Sequence, residues 1–159
     1  EASQRGVRSA VLCNTMIYGN GLGLARDSAQ IPGLAARARK TGVVRHVGQG
    51  LNIWSNVHVE DMAELYALAL AEAPAGAFYY VENGEASYRD ICRSIAKRLG
   101  LGLPQAWPFA DAVKELGESS AAYTFGSNSR VRAKRARREL GWAPKHPSAT
   151  AWIEKELPL

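Results

Sequence analysis

The chain has 159 residues, 47% of them hydrophobic and 22% charged, which supplies enough apolar material for a packed core and argues against intrinsic disorder. Its longest apolar stretch, around residues 63–71, is interrupted by Glu64 and falls short of a membrane helix, so no membrane partner is expected. The net charge of +5 suits solubility or an anionic ligand without requiring nucleic acid.

Residues 1–6 run almost directly into an apolar segment, with neither an initiator methionine nor a signal peptide. The expectation is a chain that continues upstream. Residues 7–12 predict a buried strand, followed by a glycine-rich loop over 14–23. Strand-to-loop junctions of this kind are where α/β sheets place ligand contacts. Helical spacing predicts a helix over 31–40, with Pro32 in its first turn and Gly42 as its stop. A short strand over 43–47, a turn and an extended segment over 53–59 follow. Met62, Leu65, Tyr66, Leu68 and Ala69 predict a strong helix over 61–73, capped by Asp61. Residues 77–81 predict a second buried strand. Ser87 and Asp90 form an N-terminal cap signature for a helix reaching Leu99. Residues 104–108 read as loop, and 109–116 as a short helix stopped by Gly117. A basic helix is expected over 131–140, ending at Gly141, and a last helix over 148–157.

The two buried strands lie far apart in the sequence. Alone they leave backbone groups unpaired, which a parallel sheet with further strands upstream would satisfy. Cys13 and Cys92 both read as small buried hydrophobes, which suits a reducing, cytoplasmic setting. His46, His58 and His146 show no metal-ligand spacing, so no metal is expected. His58 and Asp61 suggest an acid/base pair, but local roles in packing and capping account for both. The basic run from Arg130 to Arg138 spreads around its helix without interleaved aromatics, so it reads as a solvated face and not as a nucleic-acid site.

Several segments carry a resemblance when taken in order. They are Val11-Leu-Cys-Asn-Thr-Met-Ile-Tyr-Gly-Asn-Gly, Trp54-Ser-Asn-Val-His-Val-Glu-Asp-Met-Ala with Leu65-Tyr-Ala-Leu-Ala-Leu, Ser87-Tyr-Arg-Asp-Ile, and Leu140-Gly-Trp-Ala-Pro. Together they resemble the C-terminal half of extended short-chain dehydrogenases/reductases, the NAD-dependent epimerase/dehydratase family. The resemblance implies an α/β fold, mostly helical with a few short strands, in which residues 1–159 form the substrate-binding portion and late strands of a Rossmann sheet. It implies NAD or NADP in the intact protein, none on this part alone, and an epimerase, dehydratase or carbonyl reductase acting on a sugar-like or small carbonyl or hydroxyl substrate. The expected partners are that substrate, the nucleotide-binding half and further copies of the same chain.

The family's glycine-rich dinucleotide loop and Tyr-x-x-x-Lys pair are not found in this sequence, so no catalytic residue is assigned here. A non-catalytic NAD(P)-sensing or scaffold protein of the same fold is the alternative, with a basic nucleic-acid-binding module behind it. By the resemblance, Asn14, Thr15 and Met16 pass beside the nicotinamide, and Met16, Tyr18, Trp54, Asn56 and Arg130 face substrate. Cys13 stands where the family commonly has arginine, and Met16 where nucleotide-sugar enzymes commonly have asparagine. Trp54 stands near the position of a diphosphate-gripping arginine. These departures argue against a nucleotide-sugar substrate.

Overall fold

A computed structural model describes residues 3–24 and 28–158 of the chain. β1 (Ala10–Asn14) and β2 (Met16–Tyr18) come first, then α1 (Gln30–Thr41), β3 (Arg45–Val47), β4 (Ile53–His58) and α2 (Val59–Glu72). β5 (Ala77–Val81), β6 (Glu85–Ser87), α3 (Tyr88–Arg98), β7 (Gln105–Trp107) and α4 (Phe109–Leu116) follow. A π-helical turn spans Ser120–Thr124, and α5 (Lys134–Leu140) and α6 (Ala149–Glu156) close the chain.

The two distant strands pair with each other. β1 runs parallel to β5, with Val11 opposite Phe78 and Cys13 opposite Tyr80. Side chains alternate across a strand, and β5 follows that rule: Ala77, Tyr79 and Val81 are buried, whereas Phe78 and Tyr80 are exposed. The buried face packs on Leu65, Ala69 and Ala73 from α2 and its end, on Ala136 and Leu140 of α5, and on Trp142. The other face is open. Val11 is 55% exposed, and Cys13 is exposed as well. Two expectations are corrected here. The first strand begins at Ala10 and extends to Asn14, and it is buried on one face only. Cys13 therefore lies at the surface, while Cys92 on α3 is buried as expected.

β2 is a strand where the glycines suggested a loop. Met16 and Tyr18 turn into the core and pair parallel with Asn56 and His58 of β4, so the loop begins only at Gly19. That glycine has φ +107, and a Cβ there would come within 2.6 Å of His58 Nε2. β6 adds an antiparallel strand on the other edge of β4. β7 pairs parallel with β3, although prolines on both sides of it pointed to plain loop.

The larger core lies between α1, α3 and α6. Ile91, Cys92, Ile95 and Ala96 of α3 pack with Ile31 and Ala35 of α1, with Trp152 and Ile153 of α6, and with Tyr18, Trp54 and Trp107. Burying each of these isoleucines stabilises the fold by roughly 1.5–3 kcal/mol. Ser87 caps α3 by accepting from the backbone N–H of Asp90, as its spacing suggested. α5 starts at Lys134, later than its charge pattern implied. The residues before it are held extended: Ser129 exchanges backbone hydrogen bonds with Ile53 and Ser55, and the Ala133 N–H donates to Glu82 at 3.1 Å. Among the described residues, no helix is long and apolar enough to cross a membrane.

Candidate functional site

The C-terminal end of β1 opens into a cleft of about 250 Å³ whose walls include Asn14, Thr15, Met16, Trp54 and Ser55. Four of the seven residues singled out in the sequence thus meet at one place. Gln30 from the start of α1, Tyr123 and Thr124 from the π-helical turn, and Ser129 complete the wall. None of these four carries a local signal in the sequence, and the turn that presents two of them has no recognisable pattern.

The cleft residues are held by their neighbours. Thr15 donates its hydroxyl to the Val81 carbonyl at 2.8 Å, which ties the exit of β1 to the end of β5. The Asn14 amide donates to the Tyr66 hydroxyl at 2.9 Å, leaving its carbonyl oxygen as a potential acceptor. Trp54 is mostly core: it is 4% exposed, its ring stacks on Tyr88 at 5.1 Å, and its indole N–H donates to the Ser127 carbonyl at 3.2 Å. Only an edge of it reaches the cleft, so its contribution there is shape and apolar surface.

Tyr18, Asn56 and Arg130 do not line this cleft. The Tyr18 hydroxyl donates to the His146 carbonyl at 2.6 Å, and burial, with the Asp61 charge, pushes its pKa well up. Asn56 is 1% exposed, and its carbonyl oxygen has no hydrogen-bond partner. Arg130 and Arg132 both grip Glu85 through two nitrogens each, at 2.6–2.9 Å. Those two hydrogen-bonded guanidinium groups hold the Glu85 carboxyl well below the usual carboxylate range. Arg135 and Arg138 pair with Glu139, and Arg137 with Glu82. Much of the basic run is thereby matched to carboxylates.

A second cluster joins residues far apart in sequence. His58, at the end of β4, caps α2 by accepting from the Glu60 N–H. The expected capping residue, Asp61, instead lies buried inside the first turn. It accepts from the backbone N–H groups of Lys145 and His146 at 2.8 and 2.9 Å and from Asn83 at 3.3 Å. The His146 ring lies 3.0 Å from it. Burial alone would raise the Asp61 pKa, but these hydrogen bonds together hold it below the ordinary carboxylate value. Ligating atoms of His58, Glu60 and His146 come within 4.8 Å of one another. The two imidazoles are stacked, however, 4.0 Å apart with 26° between their planes. Their in-plane lone pairs therefore run side by side and do not converge on one point, and the cluster reads as a structural tie between α2 and the 145–146 segment.

Residues 1–81 match the model of the NAD dependent epimerase/dehydratase family. The chain belongs to that family. The chain is 29% identical to an oxidase, ucsJ, of Acremonium sp, over 93% of this chain and 49% of the relative. It is also 29% identical to a 3-diazoavenalumate denitrifying reductase of Streptomyces sp, over 83% of this chain and 41% of the relative. The chain thus spans about half the length of the relatives it matches. In structure it resembles the dTDP-glucose 4,6-dehydratase DesIV of Streptomyces venezuelae, solved with NAD bound, with a TM-score of 0.73 at 19% identity over 97% of this chain and 44% of that one. A functionally unknown conserved protein of Silicibacter pomeroyi has a TM-score of 0.63 at 29% identity over 91% of this chain and 46% of that one. The epimerase/dehydratase fold is accordingly the fold of this chain: an α/β arrangement with small parallel sheets and several helices.

Proposed function

We propose that this chain is the substrate-side half of an NAD(P)-dependent epimerase, dehydratase or carbonyl reductase, and that its cleft faces the nicotinamide. The observation that carries the reading is the meeting of Asn14, Thr15, Met16 and Trp54 in one cleft at the C-terminal end of a parallel strand. Ligands of open α/β sheets bind at such ends. The matched family, with NAD- or NADPH-bound structural neighbours, supports a nicotinamide cofactor there.

The residues present fit one end of such a cofactor. The Asn14 side-chain oxygen can accept from a carboxamide N–H, while Thr15, pinned to Val81, keeps the strand exit in place. Once bound, the nicotinamide would supply or take the hydride. Met16 and the Trp54 edge would shape the apolar wall and help exclude water. The glycine loop that would hold the dinucleotide phosphates, and the acid/base pair, fall to the half that covers the open face of the β1–β5 sheet. The chain alone would then be inactive.

The substrate class follows from the wall chemistry: a small carbonyl or hydroxyl compound, with Trp54 and Met16 giving no grip on a diphosphate. The test is titration of the intact protein with NADH and NADPH, read by nicotinamide fluorescence. Enhanced emission is expected with one or both, and Asn14→Ala should weaken binding about tenfold, on the scale of one lost hydrogen bond. Absence of binding to either nucleotide would remove the oxidoreductase reading.

A further inference from the structure

A second pocket lies beside the cleft, and its chemistry differs. It measures about 150 Å³, and Leu34, Val44, Tyr88, Trp107, Leu116 and Phe125 form its apolar walls. Gln30 lines both this pocket and the cleft. The two spaces share an aromatic partition: the Trp54 ring, on the cleft side, lies 5.1 Å from Tyr88 and 6.0 Å from Phe125, which face the pocket.

Two cations stand at this pocket. The Arg37 and Arg45 guanidinium carbons lie 5.9 and 5.7 Å from the centre of the Trp107 ring. Arg37 is ion-paired with Glu115. Arg45 is half-buried and makes no ion pair or side-chain hydrogen bond among the described residues. A guanidinium held at an apolar wall without a carboxylate is poised for an external anion, which its planar fork binds through two parallel hydrogen bonds. An apolar cavity of about 150 Å³ takes one benzene ring.

We propose that this pocket is the specificity pocket of the enzyme and that it takes a substrate carrying one aromatic ring and one carboxylate. The ring sits among Leu34, Trp107 and Phe125, the carboxylate sits on Arg45, and the rest of the substrate passes Gln30 into the cleft. The inference rests on the reading of the cleft as the reaction site. One unpaired arginine matches a single negative charge. A diphosphate would meet Arg37 already neutralised by Glu115, and a nucleoside exceeds a one-ring cavity.

The experiment compares benzoate with its neutral isostere benzamide, by calorimetry or ligand-observed NMR on the intact protein, for the native protein and for Arg45→Gln and Arg45→Lys. Benzoate should bind at least about tenfold more tightly than benzamide, the scale of a charge-assisted hydrogen bond. Arg45→Gln should abolish that preference by weakening benzoate far more than benzamide, and Arg45→Lys should restore part of it. Near-ultraviolet circular dichroism confirms that each variant is folded. Equal binding of the two ligands, or a benzoate affinity untouched by Arg45→Gln, overturns the proposal. So does uridine diphosphate binding through Arg45 more tightly than benzoate, which would make the pocket a nucleotide site. NADH binding without benzoate binding removes this pocket's role and leaves the oxidoreductase reading standing. Benzoate binding through Arg45 without NADH binding upholds the ligand class and removes the oxidoreductase reading.

Discussion

Asp61 shows how a residue can be found by sequence and still be misread. Its position before an apolar helical pattern suggests a cap, but the helix begins two residues earlier, at Val59. The capping oxygen or nitrogen needs only the right spacing to a free N–H, and His58, three residues earlier, fills that role with its ring. Asp61 is thereby free to bind the 145–146 segment, a contact no local pattern reveals. Asp61→Ala should cost about 2–4 kcal/mol, since it leaves several buried donors unpaired; a fall in the urea midpoint at unchanged slope would show it. The acid limb of stability follows from the same contacts. The folded pKa of Asp61 is depressed, so its contribution is full above the unfolded value near 4 and is lost as pH falls through the lower folded value. His58 acts over a higher window. Burial first, and then the neighbouring His146, lower its pKa, so the unfolded chain binds the proton more readily. Stability should therefore decline as pH falls from about 6.5 towards the lowered folded value, and His58→Asn should flatten that part of the profile. A native stability that stays level from pH 7 to 5 would contradict this.

At the scale of elements, the long helices and β5 were legible because each carries one clear period. α3 shows it best, with Ile91, Cys92, Ile95 and Ala96 on one buried stripe. β2, β6 and β7 have three residues each, too short for alternation to register. Their pairing is fixed by distant partners that a local window does not contain. β1 is legible as a strand but not in its burial, since an apolar run does not reveal whether both faces are covered. This distinction gives a chemical test. At a dilution where the isolated chain is monomeric, a disulfide-exchange reagent should label Cys13 rapidly, because its thiol is at the surface. Cys92 should stay unlabelled until the chain unfolds: burial pushes its thiol up to about 12, far from the reactive thiolate. Two rapid labels per native chain would refute the placement of α3, and none would refute the open face of β1.

The molecule as a whole is defined by that open face. Parallel sheets are ordinarily covered on both sides, yet Val11, Cys13, Phe78 and Tyr80 present one side of the β1–β5 sheet to solvent. Phe78 and Tyr80 stand edge to face, 5.1 Å apart, a preformed apolar surface of the kind that marks an interaction site. The cleft opens at the end of this same sheet. A cover that extends over the face to that end would reach the cleft, and this links the proposed cofactor-bearing half to the site it would complete. Without that half, the face should seek a substitute. The isolated chain is expected to run as a dimer or larger in light scattering, and Phe78→Lys, which places a charge in the middle of the patch without touching the buried face of β5, should shift it towards monomer. Coexpression with the proposed cofactor-bearing half should give the same shift for the native chain by covering the patch, with Cys13 becoming protected from labelling in step. A native isolated chain that stays monomeric at high concentration would mean that its exposed aromatics need no cover, and the link between the open sheet and the cleft would fail with it.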